Sequence, residues 1–164
     1  MTRPIPLLRP ALPSDAPAIA DIFLAARAAM TYLPRLHSDE DTRAFIAHVV
    51  ASQTVLVAVT QSAPDDIAGF AAINDHDDEL SDETDKNTHL DHLYIDPLTQ
   101  GQGIGTHLLN AVKTLRPRGF ALWCFQQNHG AQRFYERHSL TLAKKTDGRD
   151  NEENLPDMLY VWAP

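Results

Sequence analysis

The sequence predicts a single α/β domain in which helices cover the faces of a mixed β-sheet. Three observations carry that expectation. Short β-branched runs outnumber amphipathic helical stretches. Two of the runs, residues 54–60 and 67–73, follow one another across a turn, as in an antiparallel hairpin. Two others, residues 88–95 and 120–125, flank a helical stretch, as in a parallel βαβ unit. The 164 residues suit one domain, 1–164, able to bury a core without disulfides.

Residues 4–9 form the first expected strand. Ser14 is the expected N-cap of a helix whose apolar positions are Ile19, Ile22, Phe23, Ala26 and Met30. Tyr32-Leu33-Pro34 interrupts the pattern, since proline lacks the amide proton that a helix interior needs. Ser38 and Asp41 have capping-box spacing, and Asp39, Glu40 and Asp41 put negative charge at the positive helix end. Phe45, Ile46, Val49 and Val50 are that second helix's expected buried face. In the hairpin, Ala63-Pro64-Asp65-Asp66 supplies the turn chemistry.

Residues 75–87 are polar and acidic and read as a solvated tip; Leu80 stands where a calcium loop needs glycine. The strand at 88–95 is stopped by Asp96-Pro97. A helix opens near Gly103 with Ile104, Leu108, Leu109, Val112 and Leu115 on one face, and Pro117-Arg118-Gly119 closes it. After the strand at 120–125 come a short helix, 130–138, and two final strands, 140–146 and 158–162. The expected order is β-α-α-β-β-β-α-β-α-β-β.

Composition narrows the function. Net charge is −8 with a pI near 5.3, a field that repels phosphate chains, so nucleic acid is not an expected partner. No apolar run approaches the roughly 20 residues of a membrane span, and the N-terminus has no signal-like apolar stretch. The one cysteine, Cys124, cannot form an internal disulfide and reads as a small buried hydrophobe. These features point to the cytoplasm and away from membranes. They leave monomer and homodimer open.

The most informative stretch runs from Leu93, Tyr94 and Ile95 to Gln100-Gly101-Gln102-Gly103-Ile104-Gly105-Thr106. A strand, a loop and three alternating glycines open an amphipathic helix there. Glycines let a ligand approach the backbone, and the helix N-terminus favours an anion, so phosphate is the natural guest. A Walker loop requires Gly-Lys-Ser/Thr, which is missing. The dinucleotide fingerprint requires a third glycine where Thr106 stands, and an earlier place in the chain.

Residues 100–105 match at every defined position the Gln/Arg-x-x-Gly-x-Gly/Ala pattern of the GNAT N-acetyltransferases, and the chain resembles that superfamily. The resemblance implies the GNAT-like acyl-CoA N-acyltransferase fold, with acetyl-CoA as cosubstrate. It implies that amides of residues 100–106 hold the pyrophosphate and that Leu93, Tyr94 and Ile95 bond the pantetheine arm as a neighbouring strand would. A second segment, Asn128 to Glu136, resembles the family's Asn-x-x-Ala-x-x-Phe-Tyr-Glu. By resemblance Asn128 and Phe134 belong to the cofactor site and Tyr135 lies near the sulfur. The family usually continues Gly-Phe, whereas this chain has Ser139-Leu140, which bears on the turn's geometry.

Acetyl transfer needs a positioned thioester, a neutral amine, oxyanion stabilisation and a proton for the departing thiolate. Tyr135 is the expected proton donor and, by resemblance, the Leu93 amide the oxyanion donor. His89 stands where many family members carry a glutamate base; Asp91 orients it or holds the ammonium, and water remains an alternative carrier. Strand alternation puts His89, Asp91, Leu93 and Ile95 on one face and His92 and Tyr94 on the other, so the two histidines are not expected to share a metal.

Acceptor contacts are expected from Tyr32 and Leu33 in the link between the first helices, and from Glu152 and Glu153 in the acidic loop 146–157. The expected reaction is transfer of acetyl to a small, cationic primary amine in a ternary complex. A protein or peptide N-terminal acetyltransferase and a non-catalytic acetyl-CoA sensor are the alternatives.

Overall fold

A computed structural model describes residues 4–75 and 88–164. The elements follow the expected order: β1 (Leu7–Pro10), α1 (Ala16–Ala29), α2 (Asp39–Ser52), β2 (Thr54–Thr60), β3 (Ala63–Asp75), β4 (Thr88–Ile95), α3 (Ile104–Leu115), β5 (Phe120–Phe125), α4 (His129–Arg137), β6 (Thr141–Lys145) and β7 (Asp157–Trp162). The strands form one sheet in the order β1-β2-β3-β4-β5-β7-β6. Every neighbouring pair is antiparallel except β4 and β5.

Two apolar layers sandwich the sheet. On one face Ile19, Phe23, Ile46 and Val49 of α1 and α2 pack on Val57, Phe70 and Ala72. On the other, Ile104, Leu108, Leu109 and Val112 of α3 pack on Ala71, Leu90 and Leu122. Thus α3 buries a continuous apolar stripe, at the spacing its sequence shows.

Several local expectations are corrected. Ser14 does not cap α1: it lies in a 3-10 turn, Pro13–Asp15, held by Asp15, which accepts from the Leu12 amide and pairs with Arg9. Phe45 and Leu115 leave the buried faces and are 46% and 42% exposed, while Thr42 is buried in α2. Residues 63–66 belong to β3, and Gln61 and Ser62 make the turn, because the β2–β3 ladder runs on to Thr60↔Ala63 past a bulge. The acidic run's residues 76–87 lie outside the described residues; Asp75 ends β3 and pairs with Arg116.

The consequential correction is in β4. Its register with β3 shifts between Ala72↔His92 and Ile73↔Leu90, which leaves Asp91 as the extra residue of a bulge. Leu90, Leu93 and Ile95 pack in the α3 layer, whereas His92 and Tyr94 pack in the α1–α2 layer. Asp91 faces that second side too, accepting from Gln53 Nε2 (3.0 Å) and Asn74 Nδ2 (3.1 Å). His89, in register with Asn74, shares its face. The expected separation of His89 and Asp91 from His92 therefore does not hold, because alternation fails at a bulge.

Candidate functional site

Parallel strands β4 and β5 share one ladder position, His89↔Ala121. β4 continues to Ile95 and β5 to Phe125 with no further pairing between them among the described residues. A gap therefore opens toward the C-terminal ends of both strands, where α3 and α4 begin. Two sets of first-turn amides, which have no intrahelical acceptors, frame its mouth.

The glycine loop forms one lip. Gly101 and Gly103 have φ +77° and +83°, and a Cβ at either would meet nothing within 4 Å. Their glycines answer to the left-handed backbone, and the space above them is open to a bulky anion. Gly103 is the N-cap of α3, so no side chain occupies the helix end. Gln100 and Gln102 are exposed beside it, and Ile104 anchors the loop in the core. Gly105 serves packing instead: a Cβ there would lie 3.4 Å from the Phe134 ring, so α4 rests on the first turn of α3. Thr106 Oγ1 is 3.1 Å from His138 Nε2, a second tie between the helices. Asn128 spends its Oδ1 capping α4 at Ala131, leaving its Nδ2 for other contacts. Ser139 takes the left-handed φ of 68° usual for glycine, and Leu140 behind it is buried.

Cys124 lies on β5 itself, with the Tyr32 ring edge-on to its neighbour Phe125 and Tyr135 on α4 just beyond. Burial, reinforced by Cys124 and Tyr94, raises the Tyr135 phenol far above its usual range. Burial pushes the Tyr32 phenol up to about 12, again with Cys124 and Tyr94 contributing, and the Cys124 thiol up to about 12. All three groups stay protonated near neutrality. Cys124 is therefore a poor nucleophile. The Tyr94 side chain points to the α1–α2 side, 5.2 Å edge-on to Phe23 and hydrogen-bonded to Arg27.

On that side lies a cleft of about 930 Å³ whose walls include Phe23, Phe45, Leu33, Leu36, Glu152 and Glu153. Tyr32 is not on its wall; its ring stands edge-on to Phe125, 6.1 Å away, beside the strand gap. Neither expected carboxylate is unpaired. Glu153 accepts from Arg27 Nη2 at 2.9 Å, and Glu152 contacts His37 Nε2. The loop carrying them is well tied: Gln126 Nε2 donates to the Thr146 and Asp157 carbonyls, and Asn151 bridges Leu155 and Asp157.

Arg27 and His92 are the groups that sequence reading missed. Arg27 sits four residues after Phe23, with its guanidinium 5.4 Å from that ring's centroid, and links Glu153 to Tyr94. An arginine within α1's apolar spacing was the available signal. Burial lowers the His92 pKa to about 4, with Arg27 adding to the shift and Asp91 opposing it. His89 and Asp91 lie nearer the paired end of the gap than Leu93 does.

A sequence profile described as the acetyltransferase (GNAT) family matches residues 21–139. Peptidyl-lysine N-acetyltransferase YjaB of Salmonella typhimurium is 33% identical over 86 residues, which are 52% of this chain and 56% of that protein. The match thus spans about half of that relative's length. A GCN5-related N-acetyltransferase structure from Rhodopseudomonas palustris superposes with TM-score 0.73 at 23% identity, covering 100% of this chain and 99% of that one. RimL, a ribosomal L7/L12 alpha-N-protein acetyltransferase solved with coenzyme A, gives 0.72 at 20% identity over 99% and 96% of the two chains. At such identities the superpositions speak for the fold. Among the described residues no helix is long and apolar enough to cross a membrane.

Proposed function

Since the chain belongs to the GNAT acetyltransferase family, whose members use acetyl-CoA to acetylate amines, we propose that it acetylates a primary amine of a small acceptor in a ternary complex. The splayed β4–β5 gap, with α3 and α4 opening at its mouth, is the observation that carries this reading. In it, the amides of residues 100–106 hold the pyrophosphate. The backbone of Leu93, Tyr94 and Ile95 lies along the pantetheine arm, and Asn128 Nδ2 and the α4 amides border it. Phe134 acts indirectly, by fixing α4 against Gly105.

Acetyl-CoA supplies an activated acyl carbon and a thiolate leaving group. Tyr135, kept protonated by burial, gives that thiolate its proton. The amine's proton leaves by way of His89 and Asp91, which the bulge sets on the acceptor face, and then water.

The acceptor enters from the cleft on the α1–α2 side. Two bridges, Arg27–Glu153 and His37–Glu152, tie the α1 end and the 30–37 link to the 146–157 loop. They obstruct an extended peptide and favour a small molecule. Because both carboxylates are engaged, selection for a cation weakens, and apolar walls at Phe23, Phe45, Leu33 and Leu36 favour an acceptor with an apolar body beside its amine.

The test is calorimetry with acetyl-CoA, NAD and ATP, followed by a panel of amines and short peptides with free-thiol release as readout. Acetyl-CoA should bind in the micromolar range, well ahead of NAD and ATP, and small amines with apolar bodies should release thiol fastest. Lack of acetyl-CoA binding would defeat the enzyme reading; a preference for lysine-containing or N-terminal peptides would defeat the small-acceptor reading.

A further inference from the structure

Among the described residues two buried side-chain atoms have no hydrogen-bond partner: Tyr32 Oη and Gln53 Oε1. They differ in kind. Gln53 is an amide whose Nε2 already donates to Asp91, and its orphan is an acceptor only. Tyr32 has a single polar group, and that group is wholly withdrawn from solvent. A buried donor without an acceptor forfeits its hydration and gains nothing in return, so native proteins keep few of them, often where function supplies the partner.

The position of this donor is informative. Tyr32 leaves the end of α1 and stands edge-on to Phe125, the last residue of β5, at 6.1 Å. Its hydroxyl is close enough to Cys124 and Tyr94 for each to influence its ionisation. Both residues also influence Tyr135 across the gap. Tyr32 thus reaches the C-terminal end of β5 from the link after α1, while Tyr135 stands on α4, which begins just past that end. We propose that the Tyr32 hydroxyl donates to the acetyl carbonyl oxygen of bound acetyl-CoA and stabilises the negative charge that grows there.

This inference rests on the acetyltransferase reading. Its chemistry selects the carbonyl among the available partners. A donor aimed at the incoming amine would engage the lone pair that must attack. At the carbonyl the same donor strengthens its bond as charge develops, which lowers the barrier. As the nitrogen–carbon bond forms, the carbonyl π pair moves onto oxygen under Tyr32. When that pair returns, the carbon–sulfur bond breaks and the thiolate takes a proton from Tyr135. The amine's surplus proton passes by way of His89 and Asp91 to water, and Tyr135 regains its proton from water. Tyr32 keeps its proton throughout.

Tyr32→Phe retains the ring against Phe125 and removes only the hydroxyl. We expect kcat to fall roughly 100- to 1,000-fold, the scale of losing one oxyanion donor. The amine KM should hold within about threefold and the ligand-free thermal midpoint should stay level or rise, since an unsatisfied group has gone. An unchanged kcat, or a raised amine KM alone, overturns the proposal. Binding tests it independently of turnover, with S-ethyl-CoA as the thioether that lacks the carbonyl. The substitution should weaken acetyl-CoA relative to S-ethyl-CoA; equal effects on both overturn the proposal. If wild type binds acetyl-CoA but acetylates no amine, the enzyme reading fails while this comparison still judges Tyr32.

Discussion

Tyr135 and His92 show how burial fixes a protonation state by penalising charge. In Tyr135 it retains the proton, so the phenol is a donor at neutral pH and never a base. Tyr135→Phe should therefore lower kcat by roughly 10- to 1,000-fold, the general-acid range, with acetyl-CoA affinity changed by no more than a few-fold in calorimetry. Replacing a poor leaving group with a good one, such as an aryl thioester, should restore much of the rate. A variant as active as wild type would assign the proton to another group.

In His92 burial excludes the proton. The folded value is about 4 against 6.5 for an unperturbed imidazole. Between those values the unfolded chain binds more protons than the native one, so stability is complete above about pH 6.5 and is lost as pH falls toward 4. The loss amounts to at most roughly 3 kcal/mol. Urea midpoints from pH 7.5 to 4 should trace that limb, and His92→Leu should flatten it. Parallel curves would assign the acid sensitivity to other groups. Residue types were legible in the sequence here, as with Tyr135 and Cys124. Arg27 left only its place in α1's apolar spacing as a signal, and the orphan on Tyr32 left none, because both depend on contacts with segments far along the chain.

At the scale of elements, period explains what sequence could and could not give. The α3 stripe was legible because one face is buried at a regular spacing, and the β2 run because a continuous apolar stretch, Val55 to Val59, is buried on both faces. The β4 bulge was not, since alternation presumes an unbroken ladder, and one extra residue at Asp91 moves His89 and Asp91 to the other side relative to Leu93. Loop 146–157 was expected to offer Glu152 and Glu153 to an acceptor; its charge pattern did not show the hydrogen bonds that organise it, nor that Gly148 has φ +84° where a Cβ would collide with the Leu155 backbone. Gly148→Ala should therefore cost at least about 2 kcal/mol and also lower turnover, through displacement of Glu152 and Glu153. Gly101→Ala, with open space and only its φ to strain, should cost about 1 kcal/mol. Thermal and urea midpoints of the two variants give the comparison; equal losses would mean that loop 146–157 yields freely.

Across the whole molecule, element order and both apolar layers were legible, while the gap between β4 and β5 was not, because it concerns how far two strands stay together. That gap also bears on colloidal behaviour. A sheet's free edges invite other chains to add strands and seed aggregates. Here the rims are guarded: β1 is a four-residue strand ending in Pro10, and β6 carries Lys144 and Lys145. The remaining unpaired edges face each other inside the sheet, at the mouth where α3 and α4 begin. A β-strand from another molecule would bring side chains on both faces and find no room between covered layers. A slender arm with amides and no side chains can slide in lengthwise. The unpaired backbone of the sheet's middle is thus withheld from strand addition by the same two layers that cover its faces.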